Sequence, residues 1–336
     1  MIVDAGDALL ARTSPPPAPG DLNKAESIMR AQGLIGLDAM AVGELEVAVG
    51  LARLALLQRQ TSQTLLCANL IDRRGRSPFA PRRLVETGGV KVGITAVLEL
   101  PASDKAGADL LRKANLRLKD AVAVARQQVH ALRSAGAEVV LLLAHVGMDR
   151  AKVIAREVPG IQLVIVAHSG QLHSLPIKEG ETYLVESGRR GQDLGHVQFR
   201  LGPGWTADQP LADDSPRQVL YAEASQELAL LAKHPSNRSA TNRDDPRLAR
   251  AKALADRLRG TSRPPGDHFI IAQLVTLDDR FADHAGIKGL MNANRASWRV
   301  AHPPSRDPRP GPRMRPMFRR QTKKIRIEQR GGAGGM

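Results

Sequence analysis

Four polar residues that could share a metal ion stand at or just after the ends of short apolar runs: Asp7, Glu44, His145 and His168. Two carboxylates with two imidazoles suit a borderline divalent cation such as zinc, manganese or iron. Calcium and magnesium prefer oxygen ligands alone. A cation bound there would polarise a phosphoryl group and lower the pKa of a bound water to about 7. The residue types therefore indicate metal-assisted hydrolysis.

The two histidines end neighbouring strands of a predicted β-α-β unit over residues 138–170. Two continuous apolar runs rich in β-branched residues each finish in Ala-His, and a helix-length segment closed by Pro159-Gly160 separates them. Ligands of open α/β sheets bind beyond the carboxyl ends of the strands, so we expect His145 and His168 at one rim. The alternative is that each is an ordinary polar residue where the chain reaches solvent.

The two carboxylates follow glycines at the ends of two earlier strands. The strand Met1–Asp4 leads into Ala5-Gly6-Asp7, and the strand Leu37–Val42 leads into Gly43-Glu44. A glycine at a strand end lets a ligand approach the backbone closely. These positions also suit a turn or helix-cap carboxylate, so that alternative stays open.

The elements that position these residues alternate between strand-like and helix-like segments, which predicts a mostly parallel sheet flanked by helices. A hairpin turning at Gly88-Gly89 is expected within residues 84–98. Asp21 suits a helix N-cap, residues 69–81 suit a polar loop, and residues 104–134 form one long helix or two.

The predicted organisation has three parts. Residues 1–205 form the α/β domain, residues 206–298 a mainly helical extension, and residues 299–336 a disordered basic tail. The tail holds eleven Lys or Arg and two acids, so it carries +9 of the formal charge of +15. It could bind a polyanion weakly, but Phe318 is its single aromatic residue, which gives base stacking little support.

Composition constrains the cellular setting only weakly. The single cysteine, Cys67, excludes an intrachain disulfide, so the compartment is not fixed by redox chemistry. No apolar run approaches the roughly 20 residues of a membrane span, no secretory leader precedes the first strand, and no Cys-x-x-Cys-His haem motif is present. Localisation and oligomeric state are left open.

One later loop could contact phosphate. The segment Ser187-Gly-Arg-Arg-Gly191 lies between two predicted strands and offers the guanidinium groups of Arg189 and Arg190 together with free backbone N–H groups. We expect these arginines to bind substrate. A basic hairpin tip without a ligand explains the same residues.

The sequence resembles the calcineurin-like metallophosphoesterases, and within them the bacterial 5′-nucleotidase branch. The resemblance covers residues 1 to about 201 in the family's order and spacing. It is carried by Val3-Asp-Ala-Gly-Asp7, the segment from Gly36 to Glu46, Leu66-Cys-Ala-Asn69, Ala144-His-Val-Gly147, the segment from Pro159 to Ser169, and the segment from Glu186 to Gly195.

The resemblance implies an α/β sandwich of two mixed sheets flanked by helices and a centre of one or two divalent metals that hydrolyses phosphate esters. Asp7 matches the family's bridging aspartate, and His145 and His168 match histidines of the second metal, which makes these three the expected catalytic residues. Asp7, Glu44, His145 and His168 are the expected metal ligands. Relatives in this branch are often exported.

Several positions depart from the family's motifs. Gly43-Glu44-Leu45-Glu46 replaces Gly-Asn-His-Glu/Asp, so Leu45 stands where the family has a histidine that assists the leaving group. Gly170 replaces the second histidine of Gly-His-x-His, with His173 three residues on. The family's first strand, with its Asp-x-His motif, would precede Met1.

Three functions are therefore carried forward. The first is a metal-dependent hydrolase of a nucleoside monophosphate or related phosphate ester, favoured by Asp7, His145 and His168. The second is a non-catalytic binding protein with the same fold, favoured by Leu45 and Gly170. The third is polyanion binding through the basic tail.

Overall fold

The computed structural model describes residues 1–11, 16–189, 191–233, 246–260, 267–277 and 282–292. Within these ranges the chain forms two facing sheets with helices on both outer sides, followed by a smaller strand-and-helix region. The predicted α/β sandwich flanked by helices is confirmed.

The larger sheet has six strands in the order β10-β11-β9-β8-β6-β5. Strands β6, β8, β9 and β11 are parallel to one another, and the two edge strands are antiparallel to their neighbours, so the sheet is mixed. Its strands are β5 (Arg82–Thr87), β6 (Val90–Leu98), β8 (Val139–His145), β9 (Leu163–Ala167), β10 (Ile177–Glu179) and β11 (Thr182–Val185).

The smaller sheet has three short parallel strands in the order β1-β2-β3. They are β1 (Val3–Asp4), β2 (Ala39–Ala41) and β3 (Thr64–Leu66). In the described residues this sheet is parallel, whereas the resemblance implied two mixed sheets. A two-stranded antiparallel ribbon pairs β4 (Leu70–Asp72), which lies inside the region expected as a polar loop, with β7 (Leu116–Leu118).

Three apolar cores hold the layers together. Between the two sheets pack small and branched residues, among them Ala39, Ala41, Ile94 and Leu141. A second core joins the outer face of the six-stranded sheet to two helices, and a third joins the small sheet to further helices. The layers thus run helix, sheet, sheet, helix.

The helices of the first 160 residues are α1 (Pro19–Leu34), α2 (Glu44–Val49), α3 (Leu51–Thr61), α4 (Lys105–Lys113), α5 (Ala121–Ser134) and α6 (Met148–Glu157). Residues 104–134 therefore form two helices rather than one. Each starts at an aspartate whose side chain accepts a backbone N–H, Asp104 from Gly107 and Asp120 from Ala123.

The prediction that Asp21 is a helix N-cap is wrong. Helix α1 begins at Pro19 with Ala18 as its N-cap, three residues before Asp21, and the carboxylate of Asp21 accepts the N–H of Ala18 instead. Proline suits a first helical position because its missing N–H would have no partner there.

The residues after β12 (Asp193–Arg200) were predicted to be mainly helical, and they contain both helices and strands. The helices are α7 (Ser215–Lys233) and α8 (Pro246–Gly260), and the strands are β13 (Ala212–Asp213) and β14 (Phe269–Thr276). Strand β14 pairs with β12 over eight residues, so the extension shares a sheet with the preceding domain. The division at residue 205 stays a prediction, and the tail of residues 299–336 lies outside the described residues. Among the described residues no helix is both long and apolar enough to cross a bilayer.

Candidate metal site

The four predicted ligands come together at the edge where both sheets end. His145 is the last residue of β8, and His168 follows β9 directly, with His145 paired to Ala167 in register. Asp7 and Glu44 each lie three residues beyond the ends of β1 and β2. The imidazoles thus come from the large sheet and the carboxylates from the small one. The sequence predicted one rim, whereas the site spans two sheets.

One potential ligand atom from each of these residues lies within 4.8 Å of all the others. His145 Nε2 is central: it lies 3.3 Å from Asp7 Oδ2, 3.3 Å from Glu44 Oε2 and 3.2 Å from His168 Nδ1. His168 Nδ1 lies 3.7 Å from Glu44 Oε1. Two carboxylates and two ring nitrogens therefore face one small volume.

The second nitrogen of His145 fixes the orientation of its ring. Nδ1 lies 3.0 Å from the carbonyl oxygen of Ala5, and because a carbonyl only accepts, Nδ1 carries the proton and donates it. Nε2 therefore presents either a lone pair or a second proton to the cluster. A backbone partner of this kind commonly orients a metal-binding histidine.

The electrostatics of the cluster favour a positive charge at its centre. Burial alone would lower the pKa of His145, but contacts with Asp7 and Glu44 outweigh it and hold the pKa well above the usual value. Burial would raise the pKa of Glu44, yet the contacts and charge of His145 lower it to about 2. A cation at this point would meet the anionic carboxylate of Glu44.

The residues present fit a divalent metal. Glu44 Oε2 is buried and has no well-aligned hydrogen bond, although His145 Nε2 lies nearby, so it has ligand capacity to spare. Gly43 supplies the space: a Cβ at this position would lie 3.0 Å from both Asp7 Cγ and His145 Cε1, and closer still to Asp7 Oδ1. The mixed oxygen and nitrogen donor set suits zinc, manganese or iron.

Two of the four predicted ligands have strained backbones. Asp7 has φ of 61° and His168 has φ of 82°, in the left-handed region that residues with a Cβ rarely enter. Among the described residues, Ser62 and Asn115 are the other non-glycines with positive φ. Strain that recurs in a buried polar cluster is typical of a functional site, where surrounding contacts must hold it.

Two buried glutamates that were not predicted as site residues touch these strained turns. Glu46 is fully buried and accepts backbone N–H groups of Asp7, Ala8, Leu9 and Gly43. Burial and the charge of Asp7 raise the pKa of Glu46 to about 7. Its position three residues after Gly43 at a helix start is a sequence signal of N-terminal capping.

The second buried glutamate, Glu186, lies next to the loop after β9. Its oxygens accept the hydroxyl of Ser169 at 2.6 and 2.7 Å and the N–H of Gln171 at 3.0 Å. Glu186 stood within a segment that carried the family resemblance, but its burial and its hydrogen bonds only emerge once β11 lies beside β9.

The remaining predicted residues lie around the cluster. Arg189 is exposed, with its side chain beside Gly170, where a Cβ would lie 3.6 Å from the arginine Nε. Arg190 lies outside the described residues. Leu45 is mostly buried, and its N–H donates to Asp7 Oδ1 at 3.1 Å. His173 is not in the four-residue cluster; its Nε2 lies 3.3 Å from the amide oxygen of Gln171.

A cavity of about 1680 Å³ opens from the cluster. Asp7, His168, Leu45 and Arg189 line it, so an ion at the cluster and a guanidinium would face a common space. This volume exceeds the 300–1,000 Å³ of most small-molecule pockets, so a phosphate ester would fill only part of it.

No family model matches the sequence. The chain is 29% identical over 147 residues to the 5′-nucleotidase of Mus musculus and 29% identical over 145 residues to that of Diplobatis ommata. Each match covers 40% of this chain and 24% of the relative. The chain spans about a quarter of the length of these curated relatives. So short a match does not establish their activity for this chain.

Comparison with solved structures identifies the fold. The calcineurin-like phosphoesterase YfkN from Bacillus subtilis aligns over 88% of this chain and 82% of its own, with a TM-score of 0.57 at 14% identity. A 5′-nucleotidase precursor from Thermus thermophilus aligns over 89% of this chain and 49% of its own, with a TM-score of 0.55 at 16% identity. The fold is that of the calcineurin-like phosphoesterases.

The calcineurin-like fold confirms the resemblance predicted from the sequence motifs. At these low identities the likeness concerns architecture, and the four clustered side chains are an independent observation made on this chain.

Proposed function

We propose that this protein is a metal-dependent phosphoester hydrolase that acts on a nucleotide or related phosphate ester. The observation that carries the proposal is the convergence of Asp7, Glu44, His145 and His168, with one potential ligand atom from each inside 4.8 Å. Its calcineurin-like fold and the partial identity to 5′-nucleotidases support the substrate class.

Asp7, Glu44, His145 and His168 would hold the ion, with zinc, manganese or iron as candidates. Such an ion supplies Lewis-acid polarisation of the phosphoryl group and a water of lowered pKa. Among the described residues one group of this kind was found, which supports one ion rather than two. His145 contributes by keeping Nδ1–H on the Ala5 carbonyl, which aims Nε2 at the ion.

Arg189 is the proposed substrate-binding group. Its exposed guanidinium lies on the cavity wall near Gly170, two residues past His168, and a guanidinium fork binds phosphoryl oxygens with two hydrogen bonds. The same role is proposed for Arg190, the next residue in the sequence. Both would orient the ester toward the cluster.

The test is hydrolysis of a nucleoside monophosphate by the purified chain with added Mn²⁺, together with elemental analysis of bound metal. We expect activity that EDTA abolishes and that Asp7→Asn and His168→Ala reduce by at least about 100-fold. His130→Ala, an exposed histidine on α5, is the matched control and should behave as the unmodified chain. Metal uptake unchanged in both site variants would refute the assignment.

A second candidate function is a non-catalytic phosphate-ester binder. Leu45 favours it, because an apolar side chain lines the cavity beside Asp7 where a proton donor for a leaving group would be useful. The two candidates differ in one result: a binder retains Mn²⁺ and a nucleotide but releases no phosphate under the same assay.

A further inference from the structure

We infer that Glu46 and Glu186 are positioning residues, which hold the strained turns of Asp7 and His168 in the geometry that a metal ion requires. This inference rests on the proposed metal site but concerns different side chains. Both glutamates are almost fully buried, at 0% and 1% exposure. Neither belongs to the cluster of potential ligands.

Glu46 holds the turn that carries Asp7. Its Oε2 accepts the N–H of Asp7 at 2.8 Å and that of Gly43 at 2.9 Å, and its Oε1 accepts those of Ala8 at 2.9 Å and Leu9 at 3.2 Å. One side chain therefore joins the segment after β1 to the segment after β2. These segments carry the two carboxylates of the cluster, so Glu46 fixes their separation.

The contacts of Glu46 require a carboxylate rather than any polar group. Each oxygen receives two N–H donors, so all four interactions depend on an acceptor at both ends of the group. In Glu46→Gln one end becomes an NH₂ donor, which would face two backbone N–H groups without an acceptor. The turn at Asp7, with its φ of 61°, would then lose part of what holds it.

Glu186 does the same for His168 from the large sheet. It binds Ser169 through the hydroxyl and Gln171 through the backbone N–H, so the residues directly after His168 are anchored on both sides of Gly170. His168 has φ of 82° and needs such anchoring to keep Nδ1 facing Glu44 and His145. The two sheets thus each supply a pair of ligands and a buried carboxylate behind them.

The experiment compares Glu46→Gln with Glu138→Gln, and Glu186→Ala with Glu138→Ala. Alanine is used at position 186 because a glutamine there would keep an amide oxygen that can accept the N–H of Gln171. Glu138 is the matched control because its carboxylate also accepts a backbone N–H, from Lys91, but on the exposed surface. Amide hydrogen exchange is measured on the metal-free chain, and Mn²⁺ affinity is measured by titration. Thermal unfolding of each variant shows that the measurements are made on folded protein.

We expect faster exchange at Asp7, Ala8, Leu9 and Gly43 in Glu46→Gln, and at Gln171 in Glu186→Ala. We also expect each variant to bind Mn²⁺ about 10- to 100-fold more weakly, as when an outer partner of a metal ligand is removed. The two Glu138 variants should change neither the exchange at these residues nor the Mn²⁺ affinity. If Glu46→Gln does not fold, Glu186→Ala still tests the positioning role on the other sheet.

Two outcomes separate this inference from the proposed function. If the unmodified chain binds Mn²⁺ and both folded variants bind it equally well, the positioning role is wrong and the metal site stands. If the unmodified chain binds no Mn²⁺, the proposed function fails. The exchange rates then still decide whether these glutamates hold the turns, and unchanged exchange rates in both variants would overturn the inference.

Discussion

Replacing Gly43 by alanine should weaken metal binding at the proposed site without straining the backbone. Gly43 has φ of −93° and ψ of −174°, an extended conformation that alanine adopts freely. The obstacle is the side chain: its Cβ would lie 3.0 Å from Asp7 Cγ and from His145 Cε1, and closer still to Asp7 Oδ1. The perturbation is one methyl group inside the cluster.

The size of the effect follows from these distances. Ordinary contacts between heavy atoms begin near 3.5 Å, so the Asp7 carboxylate must move by roughly 1 Å. Metal sites tolerate deviations of about 0.2 Å in ligand distance. Asp7 cannot swing away freely, because Leu45 N–H binds its Oδ1 and Glu46 holds its N–H. We expect Mn²⁺ affinity to fall about 10- to 100-fold, or about 1.4–2.7 kcal/mol.

The assay is titration of Mn²⁺ into the purified variant, with urea unfolding measured in parallel. Gly195→Ala is the control: it also lies in an extended segment, and the nearest atom to its Cβ would be Ser187 Cβ at 3.8 Å. The reasoning would be refuted if Gly43→Ala bound Mn²⁺ as tightly as Gly195→Ala while Asp7→Ala bound none. That result would show that the cluster is looser than these distances indicate. Overpacking should also lower the free energy of unfolding of Gly43→Ala by about 1–3 kcal/mol.

Three further predictions concern the rest of the fold. Burial raises the pKa of the Cys67 thiol to about 12, so its alkylation by a maleimide should stay slow between about pH 6 and 9 in the folded chain and become fast in urea. Asp214→Asn should lower the free energy of unfolding by about 3 kcal/mol in urea melts, because Asp214 is buried and accepts both Nε and Nη2 of Arg217. Leu54→Ala should cost about 2–5 kcal/mol in the same assay, whereas Leu56→Ala on the exposed side of α3 should cost much less.

That these four residues follow strand ends could be predicted from the sequence, because strand periodicity carries the relevant information. A continuous apolar run that stops at a polar residue marks both a buried strand and its carboxyl end, as in Leu163–Ala167 followed by His168. The Gly88-Gly89 hairpin was predicted for a similar local reason and is confirmed by the pairing of β5 with β6.

Other features depend on contacts between distant segments and could not be predicted in this way. Glu46 lies two residues from Glu44, yet the two carboxylates have different roles. Glu44 would bind an ion, whereas Glu46 accepts four backbone N–H groups from two segments. Only the packing of β1 beside β2 decides between these roles. The short strand β4 was also missed, since its partner β7 lies far along the chain, at Leu116–Leu118.

The division of the four clustered residues between the two sheets explains why the proposed site needs the whole sandwich. Asp7 and Glu44 alone would place two negative charges close together, which raises the free energy of the half of the site that the small sheet provides. His145, from the other sheet, brings the donor or positive charge that offsets this repulsion, and the core between the sheets holds the halves in place. A divalent ion would bind both halves at once and favour the assembled state over any state with separated sheets. Metal affinity and sandwich stability should therefore rise and fall together in any variant that loosens the core between the sheets.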